Sequence, residues 1–152
     1  MRRSDWELMA PAGSEEALSA AIEGGADSAY FGVGRLNMRA HAAGNFRADD
    51  LPRVMDRCRA AGVKGYLTVN TVLYDEELAE MKDLMTAAAK ARVSAVIASD
   101  MAAVLAAREV GLPVHLSTQL NISNTEACKP AEQREYERKP APFFTQTGLY
   151  VI

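Results

Sequence analysis

The residues with most to offer a reaction or a ligand sit in short polar stretches that each follow an apolar run. Ser14 comes after Pro11-Ala12-Gly13. Arg35, Asn37, Arg39, His41, Asn45 and Phe46 lie within one long stretch from residue 32 to residue 47. Asn70 with Thr71, Ser99 with Asp100, and Ser117, Thr118, Gln119 and Asn121 complete the set. Side-chain amides at such places pack poorly but donate and accept hydrogen bonds at once, so Asn37, Asn70, Gln119 and Asn121 are suited to orienting a polar ligand. The guanidinium of Arg39, with that of Arg35 nearby in sequence, offers a bidentate grip on an anionic group, although arginines on a long loop are as often solvated. Asp100 is first of all a helix cap, and the one candidate here for a general base.

Several chemistries have no basis in the chain. There is no GxSxG, HExxH, P-loop or GxGxxG motif, and Gly32-Val33-Gly34 is a GxG without its third glycine. No Ser-His-Asp arrangement follows from spacing, so no nucleophile is assigned and the catalytic residues are unknown. His115 falls inside an apolar run, the position of a core or interface histidine. Cys58 and Cys128 lack a CxxC partner, so neither a disulfide framework nor a zinc or iron-sulfur site can be assembled, and no metal site is expected.

The apolar runs are the elements that must hold these residues in place. Glu7–Ala10, Asp27–Phe31, Lys64–Val69, Ala95–Ala98 and Val114–Ser117 read as strands. Between them lie helical stripes: Leu18, Ala21 and Ile22; Leu51, Val54, Met55 and Cys58; Leu78, Met81, Leu84, Met85 and Ala88; and Met101, Val104 and Leu105. Ser14, Asp75 and Asp100 are the expected caps, and Gly24-Gly25, Gly62 and Gly111 the stops. Five strands separated by four helices predict an α/β fold, a partial TIM-barrel-like βα array of parallel strands. In such arrays the loops after the strands form the functional face, and those loops carry the polar stretches.

The 152 residues carry a net charge of −3, with 49% hydrophobic and 24% charged residues. This composition suits one soluble globular domain and excludes collagen-like, disulfide-scaffold and disordered classes. Scattered basic residues argue against a strong nucleic-acid footprint. No apolar run reaches the ~20 residues of a membrane span, and Arg2-Arg3 has no apolar segment behind it, so a cytoplasmic protein away from membranes is expected. The charged, proline-interrupted stretch after Ala127 reads as an irregular tail over 128–152, in which only Gly148–Ile152 is strand-like.

Glu7-Leu8-Met9-Ala10-Pro11-Ala12-Gly13-Ser14, Glu23-Gly24-Gly25-Ala26-Asp27 before Tyr30-Phe31-Gly32, Leu36-Asn37-Met38-Arg39-Ala40, Asn45-Phe46, Val69-Asn70-Thr71 and His115–Asn121 together resemble the start of peptidase family U32, the collagenase-like proteins. The resemblance covers residues 7–127 and makes residues 1–127 the N-terminal half of a TIM-barrel-like domain. It implies a peptidase activity, a hydrolase role, with Asn37, Arg39, Asn70, Asp100, Gln119 and Asn121 lining a substrate pocket. The family also includes proteins assisting hydroxylation of RNA bases or of a quinone precursor, often with an iron-sulfur cluster held by cysteines in a later segment. That segment is not in this chain. The substrate is thus a peptide or an RNA-related molecule.

A closed barrel takes ~200 residues or more, so strands for little over half of one are present, and a truncated or frame-altered product is expected. Strands left as open sheet edges invite pairing with a second copy, which makes a non-catalytic interaction module the rival expectation. An aldolase-like barrel would need a lysine at a strand end, and Lys64 lies at the wrong one.

Overall fold

The five apolar runs pair in chain order into a single parallel sheet. The computed structural model describes residues 6–38, 46–121 and Asn124. The strands are β1 (Met9–Pro11), β2 (Ser28–Gly32), β3 (Lys64–Val69), β4 (Ala95–Ala98) and β5 (Val114–Leu116), in the order β1-β2-β3-β4-β5. Between them lie α1 (Glu15–Glu23), α2 (Leu51–Ala60), α3 (Leu78–Ala91) and α4 (Met101–Glu109). Register is set by side-chain alternation. Tyr30 lies beside Tyr66 and Tyr66 beside Ala95, while Phe31 lies beside Leu67 and Leu67 beside Val96, so each row points to one side of the sheet.

The Phe31 row faces the helices and builds the main core. Leu18, Phe31, Leu51, Val54, Met55, Cys58, Leu67, Val69, Met81, Met85 and Val96 are buried there, each large side chain contributing about 1.5–3 kcal/mol of hydrophobic stabilisation. The Tyr66 row forms a smaller cluster of Tyr66, Ala95 and Ile97, against which Met9 and Tyr30 pack. Burial of both sheet faces explains why the strands read as nearly continuous apolar runs. Glu15 accepts from both Arg53 and Arg57, tying α1 to α2.

Ser14 and Asp100 cap α1 and α4 as the sequence suggests, accepting from Ala17 N at 3.2 Å and Ala102 N at 2.8 Å. Three local expectations are corrected. The first strand is displaced toward Pro11, which is tolerated at the end of an edge strand where a missing N–H leaves no ladder bond unmade. Asp75 is not the cap of the third helix. Asp75–Glu77 form a turn of 3₁₀-helix, and the Glu77 carboxylate reaches back to accept from Tyr74 N at 3.0 Å. The inward face of α4 is Ala103, Val104, Ala106 and Ala107, while Met101 and Leu105 are exposed. Small alanines let that helix lie close to its neighbours and turn the longer side chains outward. The irregular stretch 128–152, with Cys128 and the strand-like Gly148–Ile152, lies outside the described residues. Among the described residues no helix is long and apolar enough to cross a membrane.

Candidate functional site

Parallel pairing puts the loops after β1 to β5 at one end of the sheet, and hydrogen bonds join neighbouring loops there. After β2 the chain turns sharply, and Asn37 is drawn into the turn. It is 3% exposed, and its amide nitrogen donates to Val33 O at 3.3 Å and Gly34 O at 3.2 Å. Its carboxamide fills the space that a Cβ on Gly32 would need, so Gly32 is a glycine because Asn37 packs there. The returning chain is pinned by Gly34 N donating to Phe46 O at 3.0 Å and by an edge-to-face pair of Phe31 and Phe46 with centroids 5.8 Å apart.

Asn70, at the end of β3, accepts from Met38 N at 3.2 Å and so links the loops after β2 and β3. Asp100 makes the next link. One oxygen caps α4 and the other accepts from Leu73 N at 3.3 Å, while Ser99 Oγ donates to Thr71 O at 3.5 Å. The Asp100 carboxylate is therefore engaged by two backbone amides, a positioning arrangement rather than that of a base directed at a substrate. After β5, Ser117 N donates to Ala98 O at 2.8 Å, and Gln119 N donates to Ser117 Oγ at 3.4 Å. Gln119 and Asn121 are exposed, Asn121 in the left-handed region at φ 53°. Of the six expected pocket residues, Asn37, Asn70, Asp100, Gln119 and Asn121 thus lie in loops at this end. Arg39, like His41 and Asn45, lies outside the described residues. Arg35 bonds Glu80 at 2.7 Å and Glu77 at 3.4 Å, which fixes the turn against the start of α3.

Sequence reasoning missed two groups. Val72 and Tyr74, in the loop after β3, are 66% and 64% exposed although apolar. Leu73 between them is partly buried and packs against the core, so exposure alternates along the three residues. At the opposite end of the sheet, Glu7 accepts from Lys64 Nζ at 2.5 Å and from Tyr66 Oη at 2.6 Å, and the Tyr66 ring lies 4.8 Å from that of His115. Period-two alternation along Lys64–Val69 places Lys64, Tyr66 and Thr68 on one face and was the available signal. Burial alone would raise the Glu7 carboxyl, but the bonds from Lys64 and Tyr66 outweigh it and hold the group below its ordinary range. Burial pushes His115 down, favouring the neutral ring. Lys64 is thus an ion-pair partner at a strand start.

A cysteine-held iron-sulfur cluster does not fit the described residues. Cys58 is the one cysteine among them, it is fully buried on α2, and burial pushes its thiol up. No group of three or more His, Cys, Asp or Glu that could hold a metal ion occurs among the described residues.

These features define an open parallel α/β array in which the loops at one sheet end are cross-linked through backbone amides and leave polar and apolar side chains outward. The model of peptidase family U32 matches residues 13–139, and the chain belongs to that family. A collagenase of Porphyromonas gingivalis is 58% identical over 129 residues, covering 85% of this chain and 31% of the relative. The tRNA hydroxylation protein P1 of Bacillus subtilis is 32% identical over 125 residues, covering 81% of this chain and 29% of that protein. The chain spans less than a third of the length of these relatives. The solved U32 peptidase Mk0906 superposes with a TM-score of 0.56 at 11% identity, over 73% of this chain and 47% of that one, and so shares the fold.

Proposed function

We propose that this chain supplies a substrate-binding part of a collagenase-like peptidase, presenting the loops after β2 to β5 to an extended polypeptide. Gln119 and Asn121 would orient peptide groups, Arg39 would hold an anionic group, and Asn37, Asn70 and Asp100 would fix the loops that carry them. The observation that carries this reading is the loop end itself, where carboxylate and amide side chains are spent on backbone amides while Gln119, Asn121, Val72 and Tyr74 stay outward. The 58% identity to a collagenase supports a polypeptide over other substrates. The described residues hold no nucleophile beside a base at this end, so bond cleavage would need groups beyond them.

Hydroxylation of RNA bases is the second reading, supported by the relative concerned with tRNA hydroxylation. Fluorescein-labelled gelatin and fluorescein-labelled transfer RNA, titrated separately with the chain, distinguish the two by anisotropy. Gelatin binding that weakens in Asn70→Ala and Gln119→Ala is the expected result. Binding of transfer RNA without binding of gelatin would reverse the assignment.

A further inference from the structure

The loop after β3 pairs exposed apolar side chains with exposed carboxylates. Val72 and Tyr74 are largely exposed on either side of Leu73, which packs against the core. Met38, 64% exposed, is held beside this loop by its N–H bond to Asn70. Directly after Tyr74 come Asp75, Glu76 and Glu77, with Glu80 one turn further on. Arg35 bonds Glu77 and Glu80, and Glu77 also accepts from Tyr74 N, whereas Asp75 and Glu76 are exposed, with Glu76 felt by the same guanidinium at longer range. Among the described residues, the four carboxylates of Asp75, Glu76, Glu77 and Glu80 thus face the one guanidinium of Arg35 along the strip. Large apolar side chains left outward in a loop that is itself tied down at Asn70, Leu73 and Tyr74 suit a contact surface, since little ordering cost remains to be met on binding.

We infer that Val72, Tyr74, Asp75 and Glu76 form a docking strip for an extended polypeptide that carries apolar and basic side chains, the apolar ones lying on Val72 and Tyr74 and the basic ones facing Asp75 and Glu76. The inference rests on the polypeptide reading above and adds a charge preference to it. A polyanionic partner is disfavoured by the same carboxylates, which would repel phosphates at short range.

Two fluorescein-labelled unstructured peptides test it, one with Arg and Leu alternating with Gly, the other with Glu in place of each Arg. The intact chain should bind the Arg peptide about fivefold more tightly at low salt, with the preference shrinking as salt is raised. The Asp75→Lys/Glu76→Lys variant should reverse the preference, and Tyr74→Ser should weaken the Arg peptide while leaving the charge preference in place. Far-ultraviolet circular dichroism and the urea midpoint check that both variants are folded; the substituted side chains are exposed. Equal affinity for the two peptides, or a preference unchanged by charge reversal, would overturn the strip while leaving the polypeptide reading intact. If neither peptide binds but a single-stranded RNA oligonucleotide does, both fall.

Discussion

The two ends of the sheet are built by different chemistry. At the end where the loops after the strands gather, polar side chains are used on backbone amides: Asn70 on Met38, Asp100 on Leu73 and Ala102, Glu77 on Tyr74. At the other end, side chains answer side chains, with Glu7 between Lys64 and Tyr66 and the Tyr66 ring against His115. The first arrangement fixes the path of the chain and leaves neighbouring side chains outward, where a ligand can reach them. The second consumes its own charges and offers little to a partner. The difference separates an end built to present groups from one built to close the inner face of the sheet, and it can be tested by substitution at each.

The largest effect should come from Gly32→Ala. Its new methyl would overlap the Asn37 carboxamide, forcing a buried amide off two carbonyls as well as crowding the turn. A loss of roughly 2–4 kcal/mol is expected in urea unfolding, combining overpacking with unsatisfied buried polar groups. Gly65→Ala, nearer the other end, meets the terminal Sδ and Cε atoms of Met55, a flexible thioether that can yield. That variant should lose about 1–2 kcal/mol. Equal losses for the two would mean that Asn37 is not the fixed element of its loop.

Asp100→Ala comes next. It removes the cap of α4 and the acceptor of Leu73 N in one step, for about 1–2 kcal/mol. Amide hydrogen exchange gives a sharper measurement than the midpoint, because Leu73 and Ala102 should exchange faster while the amides of β3 keep their protection. Unchanged exchange at Leu73 would show that Asp100 caps its helix without holding the preceding loop.

How much of this was legible in the sequence depended on whether the signal was periodic. The stripe Leu51, Val54, Met55 and Cys58 is buried as its spacing required, and Lys64–Val69 and Ala95–Ala98 are strands over the residues expected. Ser14 and Asp100 announced themselves as caps because a short polar side chain directly before an apolar stripe has one favourable use. Alpha-helix α4 misled, since its alanines carry little hydrophobic signal although they permit the closest packing, and Met101 and Leu105 outweighed them on paper. The loop end was harder to foresee. The sequence places Asn37 and Asp100 in the right loops, but only three-dimensional structure shows that Asn37 turns inward against Gly32 and that Asp100 reaches across to Leu73, a partner 27 residues away. The Glu7–Tyr66 bond spans 59 residues, and nothing local marks it.

That bond makes the smallest and most specific prediction. The folded state holds the Glu7 carboxyl below its ordinary value of 4.5 because the bonds from Lys64 and Tyr66 outweigh the effect of burial. A depressed carboxylate contributes stability that is present above the unfolded value and is lost as pH falls through the folded one, so this contribution should fade below pH 4.5. His115 acts in the same direction from a higher starting point. Its folded value lies below the ordinary 6.5, so the unfolded chain takes up a proton first and stability begins to decline as pH drops past 6.5. The two declines therefore begin at different pH. Glu7→Gln should reduce the decline below pH 4.5, and His115→Phe should reduce the decline that begins as pH drops past 6.5. Urea midpoints measured across the range would decide it, and a Glu7→Gln profile that parallels the unmodified chain below pH 4.5 would mean that the ion-paired end adds nothing that the amide-linked end lacks.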